Sequence, residues 1–265
     1  MTPLRVGRIV ALNMYPIYHH LEGTADPGLA FTDGLPAALN AGVLTGALDV
    51  SAMSSIEYAR NADRLRLLPV ASISAAGAVD SIQVFSTVPF AELRTVAVTP
   101  HSATSVALLR ILVGPDVRFE VLDGPPRDAL DRVDGVLLIA DEALCGLRDE
   151  LAPHTTDLGE RWEALTGLPM VFAVWAARAD VAGARSDALR SLETRLTDAQ
   201  ARYAQDPETV VRAAAERFPF PADYIRDYFS RLSYGFGPSE RRGLTRFLEL
   251  AQGAGELATV PGLAA

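Results

Sequence analysis

Short apolar runs alternate with stretches of helical spacing along most of the chain. The first apolar run, Val6–Leu12, ends at Asn13 and Pro16, which is typical of a buried strand followed by a turn. Apolar residues recur at helical spacing in Leu35–Leu48, and Ala47–Met53 is again strand-like. Because alternating strands and helices usually build a sheet with helices on its faces, this pattern predicts an α/β fold.

A second unit of the same kind follows along the chain. Strands are predicted at Thr95–Val98 and Val136–Ile139, with a helix over Ser105–Leu112 between them. The run Leu168–Ala177 is longer than its neighbours, and we interpret it as a strand that crosses between two lobes. The chain after Arg178 is helical in character. Two α/β units joined by two crossings predict a two-lobed clamshell with mixed, mostly parallel sheets and flanking helices.

The charge composition excludes several kinds of chemistry. The 265-residue chain has a net charge of −9, and all 24 of its basic residues are arginine. Without lysine there is no Schiff-base chemistry, no phosphate-binding-loop lysine and no lysine general base. The acidic balance argues against nucleic acid or an anionic membrane surface as a partner. We therefore expect a small anionic ligand to be held by hydroxyls, helix N-termini or a single arginine.

Other features predict a cytoplasmic protein without a metal or another cofactor. Cys145 is the one cysteine, so no internal disulfide forms, which fits a reducing compartment. We see no signal-peptide pattern, and no apolar run approaches the ~20 residues of a membrane span. The histidines lack metal-ligand spacing, and no dinucleotide, ATP-binding or nucleophile-elbow motif occurs. The sequence does not indicate an oligomeric state.

Polar residues follow several of the predicted strands. In open α/β sheets, ligands bind outside the carboxyl ends of the strands, so we expect these residues on a common rim. They are Asn13, Ser54-Ser55, the turn Thr99–Ser105 and Asp141. Each also has a purely structural interpretation: a turn residue, a helix cap such as Thr104 or Ser105, or an acidic residue in a first helical turn. These residues predict a hydroxyl-rich cleft but do not identify a reaction.

Five segments, taken together, resemble one family of enzymes. The segments are Ile9–Pro16, Gly46–Arg60, Thr99–Leu109, Val136–Leu144 and Asp157–Arg178. They closely resemble the chorismate dehydratases of the futalosine route to menaquinone. The resemblance implies a type II periplasmic-binding-protein-like fold in the cytoplasm, with residues 1–86 and 178–265 in one lobe and 87–177 in the other. It also implies conversion of chorismate, a dianion, to 3-[(1-carboxyvinyl)oxy]benzoate and water, without a cofactor.

The resemblance also implies roles for individual residues. Asn13 and Ser81 match the family's catalytic asparagine after the first strand and serine at the first crossing strand. The hydroxyl turn of the second lobe matches the family at Thr104 and Ser105. We expect the substrate to be bound by Ser54, Ser55, Thr104, Ser105 and Asp141.

Three questions stay open at the level of sequence. Asp80 precedes Ser81, and its charge would repel a dianion unless the side chain points away. The proton acceptor is either His101 or the substrate's own enolpyruvyl carboxylate. Two other functions compete: the sister enzyme of the same pathway, which forms 1,4-dihydroxy-6-naphthoate, and a small-anion-binding protein without catalysis. Asp157–Arg178 favours the dehydratase.

Overall fold

In the computed structural model, which describes residues 2–22 and 28–263, the chain forms two five-stranded sheets. The first sheet has the order β2-β1-β3-β10-β4 and contains β1 (Leu4–Ile9), β2 (Leu29–Gly34), β3 (Val50–Ser54), β4 (Leu65–Ala75) and β10 (Met170–Arg178). The second sheet has the order β7-β6-β8-β5-β9 and contains β5 (Ile82–Ser86), β6 (Thr95–Val98), β7 (Arg118–Val121), β8 (Gly135–Ile139) and β9 (His154–Asp157).

Helices flank both sheets. Those between the strands of the first sheet are α1 (Tyr15–Glu22), α2 (Pro36–Thr45) and α3 (Ser55–Arg60). Those between the strands of the second sheet, and after it, are α4 (Ala103–Val113), α5 (Pro126–Ala129), α6 (Ala140–Arg148) and α7 (Leu158–Thr166). After β10 the chain is helical, with α8 (Ala179–Ala184), α9 (Ser186–Gln205), α10 (Pro207–Arg217), α11 (Ala222–Ser230) and α12 (Pro238–Gly253). Short 3₁₀ helices occupy Leu12–Met14 and Phe90–Glu92.

Each sheet is parallel on one side and antiparallel on the other. In the first sheet, β1 pairs in parallel with β2 and β3, whereas β10 runs antiparallel to β3 and β4. In the second sheet, β6 pairs in parallel with β7 and β8, whereas β5 runs antiparallel to β8 and β9. The antiparallel strands β5 and β10 are those that follow a passage from one sheet to the other. We use first lobe and second lobe for each sheet with its flanking helices.

Two strands lie in a different sheet from the one that the lobe boundaries expected from the sequence would give. β5 lies in the second sheet, although residues up to 86 were expected in the first lobe. β10 lies in the first sheet, although residues up to 177 were expected in the second lobe. An apolar run looks the same at the end of one lobe as at the start of the next, and only its pairing partners distinguish them. We therefore propose that the crossings lie within residues 76–80 and 167–169.

Local differences from the expected elements have simple causes. The first strand ends at Ile9, and Leu12–Met14 turns into α1, so Asn13 lies on a 3₁₀ turn rather than directly after a strand. Ser102, rather than Thr104 or Ser105, caps α4 and accepts the Ser105 N–H through its hydroxyl. β9 has no apolar alternation because it is a largely exposed edge strand, so its sequence does not indicate a strand.

Buried contacts hold the lobes against each other. Trp162 in α7 is fully buried and packs edge-on against Phe247 in α12, with ring centroids 6.1 Å apart. At the edge of the interface, Glu256 forms ion pairs with Arg60 of α3 and Arg110 of α4. Helices of the two lobes therefore meet through both apolar and charged contacts, which fixes the cleft between the sheets.

Candidate active site

A cavity of about 230 Å³ lies between the two sheets, at the carboxyl ends of several strands. Ile9 and Ser54 end β1 and β3 on the first-lobe side, and Ile139 ends β8 on the second-lobe side. Ligands in open α/β sheets bind at this position. An engineered cavity of ~150 Å³ takes up benzene, so this one has room for a substituted six-membered ring.

Asn13 lies on the cavity wall with its backbone anchored on both sides. The Tyr234 hydroxyl donates to the Asn13 carbonyl oxygen over 2.9 Å, and the N–H of Leu12 donates to Oδ1 of Asp141 over 2.9 Å. The side-chain oxygen Oδ1 of Asn13 is buried and has no hydrogen-bond partner among the described residues. Because an unpaired buried acceptor costs about 1–3 kcal/mol, a ligand that donates to it would be favoured.

Two residues with left-handed backbone conformation form the second-lobe corner of the cavity. Asp80 has φ of 56° and precedes Ser81, and Ala140 has φ of 50° and precedes Asp141. The N–H of Ala140 donates to the carbonyl oxygen of Ser81 over 2.7 Å and joins the two turns. This conformation costs a non-glycine residue roughly 1–2 kcal/mol, and such strain clusters at functional sites. Ser81 and Asp141 both line the cavity directly after a strained residue.

Asp80 itself points away from the cavity. Its carboxylate forms an ion pair with Nε of Arg231 at 3.2 Å, and it is not part of the cavity wall. Burial raises the pKa of Asp80, an effect that the Arg231 charge partly opposes. The Asp80 carboxylate, which was expected from the sequence to repel a dianion unless it pointed away, is therefore not directed at a ligand in the cavity.

Asp157 anchors the turn that carries Ser81. Its buried carboxylate accepts hydrogen bonds from the N–H groups of Val79, Asp80, Gly159 and Glu160 and from Nε2 of Gln83. Burial raises the pKa of Asp157, although these hydrogen bonds oppose the shift. Sequence reasoning missed this residue; its one signal was an aspartate that begins a helical stretch, in the position of a helix cap.

Four of the predicted hydroxyl residues separate into two pairs. Ser54 and Ser105 line the cavity. Asn40 donates from Nδ2 to the Ser54 hydroxyl over 3.3 Å, and the Ser105 hydroxyl lies 2.8 Å from that of Ser102. Ser102 also lines the cavity, and sequence reasoning treated it only as part of a polar turn.

Ser55 and Thr104 are not part of the cavity wall. The Ser55 hydroxyl donates to the carbonyl oxygen of Val171 in β10 over 2.7 Å. The Thr104 hydroxyl accepts the N–H of Ile56 over 3.2 Å and so joins α4 to α3. Both side chains are fully buried, at 0% and 1% exposure. Their predicted contact with substrate is therefore corrected: in this structure these hydroxyls connect elements of the fold.

All ionisable side chains on the described part of the cavity wall belong to the second lobe. They are His101, Asp141 and Glu142, of which Glu142 is the most exposed. Burial raises the pKa of Asp141; the hydrogen bond from Leu12 opposes the shift and the Glu142 charge adds to it. No arginine lines the cavity within residues 2–22 and 28–263. A bound anion would therefore meet hydroxyls, an amide and the N-terminus of α4 rather than a guanidinium.

Metal clusters and membrane-spanning helices are both absent from the described residues. In them, no cluster of three or more histidine, cysteine, aspartate or glutamate side chains is arranged to hold a metal ion. No helix in the described ranges is both long enough and apolar enough to cross a membrane.

The sequence matches a known family over most of its length. A family profile described as menaquinone biosynthesis matches residues 4–253. The chain belongs to this menaquinone biosynthesis family. Within that context, one similar protein is the chorismate dehydratase of Thermus thermophilus, which is 32% identical over 267 residues and is aligned over 94% of this chain and 95% of its own.

Solved structures identify the fold of this family member. A protein from Archaeoglobus fulgidus has a TM-score of 0.76 at 19% identity, with 96% of this chain and 98% of that chain covered. A Candida albicans protein with the generic periplasmic binding protein fold has a TM-score of 0.70 at 13% identity, covering 98% and 92%. The alkanesulfonate-binding protein of Xanthomonas axonopodis pv. citri, bound to MOPS, has a TM-score of 0.70 at 18% identity, covering 97% and 94%. The fold is periplasmic-binding-protein-like, as the resemblance implied.

Proposed function

We propose that this member of the menaquinone biosynthesis family is a chorismate dehydratase, a hydro-lyase that converts chorismate to 3-[(1-carboxyvinyl)oxy]benzoate and water. The observation that carries the proposal is the 32% identity to the Thermus thermophilus chorismate dehydratase over 94% of this chain. The family match over residues 4–253 supports the same pathway. The cavity supports it too, because its size suits one substituted ring and its polar groups suit carboxylates and a hydroxyl.

The chemistry of the substrate indicates what the cavity must do. The reaction removes the hydrogen from the ring carbon that carries the ether and expels the hydroxyl from the next carbon. The ring carboxylate is conjugated with the carbon that loses its proton, so negative charge spreads onto it as the proton leaves. Donors that bind this carboxylate more strongly as its charge grows lower the barrier. Formation of the aromatic ring supplies the driving force.

We assign these tasks to groups on both lobes. Ser81 lines the cavity, and we assign its hydroxyl as a donor to the ring carboxylate; the serines at the start of α4 suit the second carboxylate. Asn13, whose amide oxygen is unpaired, suits the ring hydroxyl as an acceptor. We assign the proton acceptor to the enolpyruvyl carboxylate of chorismate or to His101, which lines the cavity.

The proposal also covers location and partners. We propose a cytoplasmic protein, since the single cysteine, Cys145, is a free thiol. The net charge of −9 favours a small-molecule substrate over nucleic acid or an anionic membrane.

The test is incubation of the purified protein with chorismate while the ultraviolet spectrum is followed. A dehydratase gives a new aromatic absorption band and one product with the mass of chorismate minus water. Saturable binding of chorismate without a product would instead identify an anion-binding protein. If the protein neither binds nor converts chorismate, both readings are contradicted. The substrate of the sister enzyme should then be tested.

A further inference from the structure

Asp141 lies on the cavity wall where the two lobes meet. The left-handed turn at Ala140 places it at the start of α6, beside Ser81 and across from Asn13. Its oxygen Oδ1 accepts the N–H of Leu12 at 2.9 Å. Within the described ranges, no group donates to Oδ2, the second oxygen. One oxygen is therefore fixed by the first lobe, and the other is available to a ligand.

The proposed reaction needs a proton donor for its leaving group. Hydroxide is a poor leaving group, and protonation of the departing oxygen by a positioned acid typically accelerates such a step by ~10²–10⁴-fold. Among the described lining residues, His101, Asp141 and Glu142 can exchange a proton. Glu142 is the exposed member of this set.

Burial favours the protonated form of Asp141. Desolvation raises its pKa, and the neighbouring carboxylate of Glu142 raises it further, against the opposing hydrogen bond from Leu12. A dianionic substrate in the same cavity disfavours the charged form again. A neutral carboxyl would also remove the repulsion that an ionised one would exert on the substrate.

We propose that Asp141 in its protonated form is the catalytic acid that delivers a proton to the departing ring hydroxyl. This rests on the proposed function. As the acceptor removes the ring hydrogen, the C–H electron pair forms the new ring double bond. The C–O bond breaks with its electrons on oxygen, which takes the Oδ2 proton and leaves as water. Asp141 regains a proton from the acceptor through solvent, so one chorismate gives one product and one water.

The acid role predicts a pH dependence of defined sign. Because the protonated form is active, kcat falls as the pH rises through the raised pKa of Asp141. The charge of Glu142 raises the pKa of Asp141, and the hydrogen bond from the N–H of Leu12 lowers it. The charge of Asp141 in turn raises the pKa of Cys145 on the same helix and of Tyr228 in α11. His101 is the remaining titratable group on the cavity wall.

The variant Asp141→Asn separates this role from a structural one. Asparagine keeps an oxygen that can accept the Leu12 N–H, but it cannot donate an acidic proton. We expect kcat for chorismate to fall at least about 100-fold. We expect product affinity to stay within a few-fold of the wild type, and the falling limb of the pH profile to disappear. Asp128→Asn makes the same substitution at an exposed position of α5 outside the cavity wall; it is the matched control and should keep wild-type turnover.

A substrate analogue with a better leaving group tests whether Asp141 acts as an acid or as a base. In a chorismate analogue with fluoride in place of the ring hydroxyl, departure needs little protonation, so Asp141→Asn should eliminate fluoride at a rate within about 10-fold of the wild type. Equal losses with both substrates, or wild-type dehydration by Asp141→Asn, would overturn the acid role. If the wild-type protein leaves chorismate unchanged, the proposed function fails. If the wild type converts chorismate but Asp141→Asn gives one of the two overturning results, only the acid role of Asp141 is removed.

Discussion

The first lobe lines the cavity with apolar side chains and neutral polar groups, whereas the second lobe contributes its ionisable ones. From the first lobe come Ile9, Ile73 and Phe172 together with Asn13 and Ser54. From the second come Ser81, the α4 serines, His101 and the two carboxylates of α6. Two of the three non-glycine residues with positive φ in the described ranges, Asp80 and Ala140, also lie at the second-lobe corner, whereas Glu150 lies away from the cavity. The difference suggests that the first lobe shapes and orients the ring, and that the second handles charge and protons.

Asn13 and Ser81, one from each lobe, give the prediction with the largest effect. If Asn13 and Ser81 act on the same transition state from opposite lobes, then Asn13→Ala and Ser81→Ala each lower kcat by about 10²–10³-fold. Initial rates of aromatic product formation measure the effect. The matched control is Ser86→Ala at the other end of β5, where the hydroxyl donates to the carbonyl oxygen of Val88. Near-normal rates in both cavity variants would remove the assignment.

Two buried carboxylates test whether the second-lobe corner is functional as well as structural. Asp157→Ala leaves several donors around the Ser81 turn unpaired, and Asp49→Ala removes the partner of Arg5 at the far end of β3. We expect each to lower the free energy of unfolding, by about 3 and about 2 kcal/mol respectively. Chemical denaturation measures these values.

Turnover then separates the two carboxylates. At a temperature where both variants are folded, kcat/KM should fall in Asp157→Ala and stay at the wild-type value in Asp49→Ala. Equal activity in both variants would show that the position of Ser81 does not depend on Asp157.

The hydroxyl residues give a smaller effect on KM, which we expect only for those that line the cavity. Ser54→Ala and Ser105→Ala each remove a cavity donor, so we expect KM to rise about 10-fold, which corresponds to ~1.4 kcal/mol. Ser55→Ala and Thr104→Val remove hydroxyls that join elements of the fold.

These last two variants are the controls for the cavity pair. They should lower the free energy of unfolding by about 1–2 kcal/mol without a change in KM. A reversed pattern, with KM altered only in Ser55→Ala and Thr104→Val, would contradict the division of hydroxyls made from the structure.

The sequence placed several polar side chains at the carboxyl ends of strands, and the structure shows which of them line the cavity. Asn13, Ser54, Ser81, Ser105 and Asp141 all line the cavity, because the carboxyl ends of neighbouring strands meet at one edge. Residues one position away need not face the same way, since a step along the chain turns the side chain to another side. This is why Ser55 and Thr104 point into the fold.

Long-range pairing was the part that the sequence did not reveal. The lobe membership of β5 and β10 depends on which strands they pair with, and their apolar composition suits either sheet. The anchoring role of Asp157 depends on donors 77 and 78 residues away, at Asp80 and Val79. Local spacing carries no signal for contacts of this kind.

Ala140 gives the smallest predicted effect and tests the strain at the corner. Glycine adopts φ of 50° without the steric cost that alanine has, so Ala140→Gly should raise the free energy of unfolding by up to about 1 kcal/mol. Turnover should be retained, because the turn itself is unchanged. Ala213→Gly, within helix α10, is the control and should lower stability by about 1 kcal/mol. Loss of stability in both variants would show that the Ala140 conformation is not strained.

The most direct test is a crystal structure of the protein with 3-[(1-carboxyvinyl)oxy]benzoate bound. We predict that the ring lies in the cavity between the sheets, in contact with Asn13 from one lobe and Ser81 from the other. Oδ2 of Asp141 should face the ring carbon from which the hydroxyl departed. Product bound elsewhere, or contacted by groups of one lobe alone, would contradict the account.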